Sequence, residues 1–205
     1  MNVTVLSGDD VREIVSVLSD AFYDYPVMRH VIGDRERYDE RLPRLVALFV
    51  NSRALRDEPM FGVRDARGDL VAAAVTTSRL APEAPPQLVA LRERIWSELG
   101  PDARARYDGY VTATSRFAVA SPHHHLNMIG VRRALHGRRL GRLLLDAVHE
   151  LAASDPQSSG VSLTTEWQAN VALYEHCGYR VRGYARVAPD LETWTLFRPT
   201  SITIE

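Results

Sequence analysis

The sequence predicts a mixed α/β (α+β) fold, one domain spanning residues 1–205, in which short strands and helices alternate along the chain. Three observations predict it. A β-branched run, "NVTVLS", passes directly into a helical pattern that puts Val11, Ile14, Val15 and Leu18 on one face. Two apolar runs, "MFGVR" and "LVAAAVTT", flank a polar turn at 65–69 and read as a hairpin. Finally, "SPHHHLNMIGV" reads as a strand that leads through an arginine- and glycine-containing loop into a helix, with Leu140, Leu143, Leu144, Ala147, Val148 and Leu151 on one stripe.

The remaining elements follow in order. "AFYDYPVMRHVIGD" interrupts the first helix at Pro26 and Gly33, and "YDERLPRLVALFVNSRAL" resumes a helix with Leu45, Leu48 and Phe49 on one face. After the hairpin, the prolines of "RLAPEAPPQ" predict a loop, and helices are predicted around 87–99 and 102–117. "GVSLTT" is a strand, and "NVALYEHCGY" is a short helix capped by Gly178. "RVRGYARVAPDLETWTLFRP" is a terminal hairpin turning at 188–190. There is no internal repeat and no low-complexity tract.

Composition narrows the function. With 45% hydrophobic and 25% charged residues and a net charge of −1, the chain can bury a full core and shows no general surface for nucleic acid. Its 25 basic residues are all arginine, which excludes Schiff-base and lysine general-base chemistry. Apolar runs such as "LVAAAV" fall far short of the ~20 residues that cross a bilayer. "MNVTVLSGDD" also has neither the basic nor the apolar region of a secretory leader. A soluble cytoplasmic protein with no membrane partner is expected, as monomer or homodimer. The single cysteine, Cys177, is expected to be a small buried apolar residue in a reducing compartment.

The densest signal is "HHHLNMIGVRRALHGRRLGRLLL". A strand running into such a loop and then a helix start suits a phosphate or pyrophosphate, because the first helical turn offers unpaired N–H groups and arginines add forked cationic donors. It is neither a P-loop, lacking the lysine, nor a GxGxxG turn. The three adjacent histidines alternate across a strand and cannot converge on one ion, so no metal is predicted.

Two segments carry a resemblance. "IGVRRALHGRRLGRLLLDAVHELA" resembles motif A of the GNAT superfamily of acetyl-coenzyme A-dependent N-acetyltransferases, and "NVALYEHCGYRV" resembles its motif B. The order of "AFYDYPVMRHVIGD", "RLPRLVALFV", "VAAAVTT" and "ETWTLFRP" is similar to the puromycin N-acetyltransferase-like branch. The resemblance implies a mostly antiparallel twisted sheet, splayed at an acetyl-coenzyme A site and flanked by helices. It also implies an acyltransferase acting on the amine of a small molecule, an antibiotic or a metabolite. Cofactor contacts are implied at Ile129 and Val131 through backbone N–H groups, at His136, Gly137, Arg138, Arg139, Leu140, Gly141 and Arg142 in the loop, and at Asn170. Two loop positions depart from the pattern: His136 replaces Gln or Arg, and Arg139 replaces the first glycine, where a positive φ is unfavourable for a side chain.

Acetyl transfer needs a neutral amine, a donor to the oxyanion and a proton for the departing thiolate. The resemblance assigns Tyr174 as the general acid. Leu126 stands where some members carry the basic glutamate, so His125 and Glu166 are the candidate bases, with His124 as a further relay. The acceptor is expected to contact Tyr25, Trp96 and Tyr107, with Tyr23, Tyr110 and Asp24 nearby. Two other readings stay open: acetylation of a protein N-terminus or lysine, and a non-catalytic acyl-coenzyme A-binding regulatory module.

Overall fold

The computed structural model describes residues 2–33, 37–78 and 83–200. Part of the predicted proline-rich loop, 79–82, lies outside the described residues. Seven strands form one sheet in the order β1-β2-β3-β4-β5-β7-β6. They are β1 (Val3–Leu6), β2 (Met60–Arg64), β3 (Leu70–Thr77), β4 (His124–Val131), β5 (Gly160–Thr165), β6 (Arg180–Ala188) and β7 (Leu191–Pro199). Every neighbouring pair is antiparallel except β4 and β5, which run parallel. This is the expected mixed α/β architecture.

The helices are α1 (Val11–Ala21), α2 (Pro26–Ile32), α3 (Tyr38–Ala54), α4 (Pro86–Leu99), α5 (Pro101–Ser115), α6 (Leu140–Ser154) and α7 (Gln168–His176). One core lies beneath α1 to α5, built from Ile14, Leu18, Leu42, Leu45, Val75 and Met128 among others. The other lies beneath α6, built from Leu126, Leu144, Val148, Leu163 and Tyr179 among others. The sheet alternation serves both faces at once: in β3, Ala73 and Val75 join the first core, and Ala72 and Ala74 the second.

Local sequence explains the starts and stops. A reciprocal cap precedes α1: Ser7 Oγ accepts from Asp9 N at 3.2 Å, and Ser7 N donates to Asp10 Oδ2 at 2.8 Å. Residues 26–32, read above as an interruption, form a helix, because Pro26 occupies its first turn where no amide is needed and Gly33 caps it at φ +71°. The buried face of α6 also differs from the predicted stripe. Leu143 is exposed, while Leu145, His149 and Ala152 join Leu140, Leu144 and Val148 against the sheet. Both stripes satisfy the 3.6-residue period, and only the angle at which α6 meets the sheet chooses between them.

Two features of β4 shape the site. Val75 pairs with Met128 but Thr76 with Leu126, so Asn127 is an extra residue, a β-bulge. Across it Leu126 belongs to the core beneath α6, and Met128 to the core beneath α1 and α3. Secondly, β4 pairs with β5 only from His124 to Leu126; beyond that the parallel strands part. Gly130 then allows α1 to sit directly on β4, since a Cβ there would lie 2.7 Å from that of Ala21.

Candidate active site

The parting of β4 and β5 opens two cavities that meet through the sheet. One, of about 200 Å³, lies on the α1–α3 side, with walls that include Phe22, Tyr25, Phe49, Arg53, Tyr107, Tyr110, His125, Asn127 and Glu166. The other is a cleft of about 880 Å³ between the loop at 135–142 and α7. Ile129, Asn170 and Tyr174 line both. A group bound in the cleft can therefore touch a molecule held in the cavity at these three residues.

All ten residues expected at the cofactor line the cleft: Ile129, Val131, His136, Gly137, Arg138, Arg139, Leu140, Gly141, Arg142 and Asn170. Helix α6 begins there without a side-chain cap, so its first amides are available to an anion. A Cβ on Gly141 would meet only Val131 Cγ2, at 3.8 Å, leaving the helix start open to the cleft. Arg139 takes the left-handed conformation that the motif's glycine would take, φ +61°, next to Gly137 at φ +78°. The strain of a left-handed side-chain residue, roughly 1–2 kcal/mol, is accepted there. The side chain of His136 folds back, its Nε2 donating to the Val131 carbonyl at 3.1 Å. Arg142 pairs with Asp146 at 2.8 Å and reaches Cys177 Sγ at 3.5 Å. Cys177 is half-buried and lines the cleft, a correction to its expected place in the core.

Beyond Leu126 the β5-facing edge of β4 has no strand partner, which leaves backbone groups around Ile129 free for a ligand. Tyr174, on α7, sits at the junction of the two cavities. Burial raises its phenol pKa above the ordinary value, with the nearby Glu166 and Cys177 adding to the effect. The hydroxyl thus stays protonated and available to donate.

The two candidate bases differ in environment. Glu166 directly follows β5 and is buried, its Oε1 accepting from Tyr110 Oη and Thr193 Oγ1, both at 2.8 Å. Burial raises its pKa above the usual carboxylate value, and those hydrogen bonds oppose the rise. His125, on the cavity face of β4, shares a 2.7 Å hydrogen bond with Ser162 Oγ. Burial first, then Arg53 and His123, bring its pKa down to about 4. His125 is therefore neutral and weakly basic at neutral pH, and Glu166 is the better proton acceptor. His124 points to the other face, buried, with Nε2 3.3 Å from Asp155 Oδ2.

The aromatic residues separate into two groups. Tyr25 lines the cavity, 3.0 Å from Thr165 Oγ1 and accepting from the Glu166 amide at 3.1 Å. Tyr107 and Tyr110 line it too. Trp96 does not: it is 8% exposed and stands behind Tyr107, with ring centroids 5.0 Å apart, so it supports the wall from the core rather than meeting an acceptor. Asp24 and Tyr23 also lie away from the cavity, Asp24 paired with Arg29 at 2.7 Å and Tyr23 with Asp39. Sequence reasoning missed Arg53, Asn127, Phe22 and Phe49 as lining residues. Among these only Asn127, a polar residue inside an apolar strand, carried a local signal, and the other three read as ordinary helix positions.

Residues 95–181 match the family model described as acetyltransferase (GNAT) domain. That segment contains β4, the arginine loop, α6, β5 and α7, the elements that build the cleft. Over that segment the chain is similar to a GNAT acetyltransferase domain, a match that supports an acyltransferase enzyme. Solved structures share the fold across nearly the whole chain. A Corynebacterium glutamicum protein described as histone acetyltransferase HPA2 and related acetyltransferase is 21% identical with a TM-score of 0.69, covering 99% of this chain and 98% of that one. An agmatine N-acetyltransferase is 20% identical with a TM-score of 0.59, covering 95% and 97%. A Drosophila melanogaster polyamine N-acetyltransferase is 20% identical with a TM-score of 0.54, covering 96% and 98%.

Proposed function

We propose that the protein is an N-acetyltransferase that moves the acetyl group of acetyl-coenzyme A to the amine of a small molecule. The observation that carries this reading is the meeting of a wide, anion-suited cleft and a smaller, aromatic-walled cavity at Ile129, Asn170 and Tyr174. The loop at 136–142 and the start of α6 would hold the pyrophosphate, with Asn170 near the pantetheine arm. When bound, the cofactor supplies a thioester carbonyl open to attack by an amine, forming the C–N bond as the C–S bond breaks.

The chain's own residues handle the charges. Backbone N–H groups at Ile129 and Val131 would donate to the oxyanion. Glu166 would take the proton lost by the amine, and Tyr174 would supply one to the departing thiolate. His125, neutral, would help to hold the amine with its lone pair exposed. A small acceptor is supported by the enclosing walls from α2, α3 and α5, by the sequence similarity to the puromycin-like branch, and by neighbours whose names specify agmatine and polyamines. A histone tail or protein N-terminus would need an open groove. One catalytic domain over the whole chain is supported by the single sheet that carries both cores.

Titration of acetyl-coenzyme A by calorimetry tests the reading. Binding between about 1 µM and 1 mM, the span common for enzyme substrates, is expected. It should be lost in Gly141→Trp, whose side chain would fill the cleft mouth while the fold persists. Thiol release with an amine panel then reports turnover. Absence of binding at millimolar ligand would overturn the proposal.

A further inference from the structure

The cavity holds a charge that acetyl transfer does not use. Arg53 reaches in from α3, its Nε donating to Thr77 Oγ1 at 3.3 Å and Asn127 Oδ1 at 3.1 Å, and its Nη1 to the Phe49 carbonyl at 3.2 Å. All three acceptors are neutral. Among the described residues no carboxylate comes within ion-pair distance of it, and Nη2 makes no hydrogen bond. Arg56 and Arg92 add to the positive field, and the buried Glu58 offsets part of it from beyond contact distance. Burial brings the guanidinium pKa down to about 10, which leaves it charged at neutral pH.

A largely buried guanidinium without a counter-charge is costly, and the cost is recovered when an anion docks on its fork. Asn127, its partner on the bulge, lies two residues before Ile129, about 7 Å of strand. The Glu166 carboxylate lines the same cavity and makes no ion pair with Arg53. Phe22, Tyr25, Phe49 and Tyr107 also line this cavity.

We infer that the acceptor is itself a zwitterion, an amino acid-like molecule with an apolar or aromatic body, whose carboxylate seats on Arg53 while its amine faces Glu166 and Ile129. The inference rests on the acetyltransferase reading and names the substrate class for that site. It favours a monoanion because Arg53 is the one cationic side chain among the described lining residues, His125 being neutral. A phosphate dianion would leave charge unmatched. The planar fork suits a carboxylate in two-point contact. The nearness of Asn127 to Ile129 along β4 suits an acid and an amine a few carbon atoms apart.

The test compares matched pairs that differ only in the carboxylate: phenylalanine with phenethylamine, tyrosine with tyramine, and leucine with isoamylamine. Each is measured by calorimetry on the protein saturated with coenzyme A, and by thiol release with acetyl-coenzyme A. The acid of at least one pair is expected to bind and react better than its amine by about 100-fold. Arg53→Gln should collapse that ratio toward one, and Arg53→Lys should restore only part of it, since a point charge lacks the fork. Acetyl-coenzyme A titration of each variant serves as the folding control, because Arg53 does not line the cleft. Equal responses within every pair, absence of any response included, overturn the inference, as does an acid preference that survives in Arg53→Gln. Failure of acetyl-coenzyme A itself to bind overturns the acetyltransferase reading instead and is read from a separate titration.

Discussion

The Tyr110 hydroxyl donates to Glu166 Oε1 at 2.8 Å, tying the middle of α5 to the carboxylate that follows β5. This bond stabilises the charged form of Glu166 and opposes the rise in pKa that burial causes. If the deprotonated carboxylate accepts the amine proton, kcat/KM falls as pH drops through a limb lying above the ordinary carboxylate range. Removing the bond with Tyr110→Phe should move that limb to higher pH. Glu166→Gln should abolish the limb and lower kcat by about 10²- to 10⁴-fold. The pH–rate profiles of the three proteins check both.

The same carboxylate has a stability signature of opposite sense. Because its folded pKa is raised, Glu166 contributes stability fully below its unfolded pKa and loses that contribution as pH rises through the folded value. Above both values the wild type carries a buried charge. Glu166→Gln keeps an acceptor for Tyr110 and Thr193 and sheds the charge, so its melting temperature should exceed the wild type's at pH 8 and approach it near pH 4. Thermal melts at the two pH values give the sign.

Tyr174→Phe removes a hydroxyl at the junction of the two cavities and leaves the ring that packs on Tyr179, at 5.6 Å between centroids. The expected result is a kcat lowered by about 10²-fold or more with acetyl-coenzyme A affinity nearly unchanged. If Tyr174 protonates the leaving thiolate, the loss should shrink with thioesters of more acidic thiols, which separates proton donation from simple packing.

Arg139 sits at φ +61° where a glycine is free of strain. Arg139→Gly should stabilise the protein by about 1 kcal/mol, a rise of about 3 °C in a chain of this size. If the guanidinium covers a phosphate, the same variant should bind acetyl-coenzyme A more weakly and with a shallower salt dependence. Melting curves and calorimetry at two ionic strengths measure the two effects.

Much of this was legible from local pattern. The hairpin at β2 and β3, the strand–loop–helix from β4 to α6 and the terminal hairpin all followed from apolar periodicity and turn residues, which act between near neighbours. The ten residues expected at the cofactor could be named from motifs for the same reason: nine of them lie within 129–142, so the cleft wall on that side is nearly continuous in sequence. The cavity wall is not. Phe22, Phe49 with Arg53, and Tyr107 come from three separate segments, and nothing around Arg53 in "NSRAL" separates it from an ordinary solvated helix arginine.

Local pattern along the chain sets the elements, the order of most of them and the loop chemistry at the start of α6, because propensity, capping and periodicity are local. Packing between distant segments sets the rest: α6 turns Leu145 inward and Leu143 outward, Trp96 stands behind Tyr107, and β4 bulges at Asn127 and parts from β5. That packing alone brings Arg53 and Glu166 into one cavity. Such facts depend on which distant surfaces exclude water together and on charges separated by more than a hundred residues, and no local rule contains them.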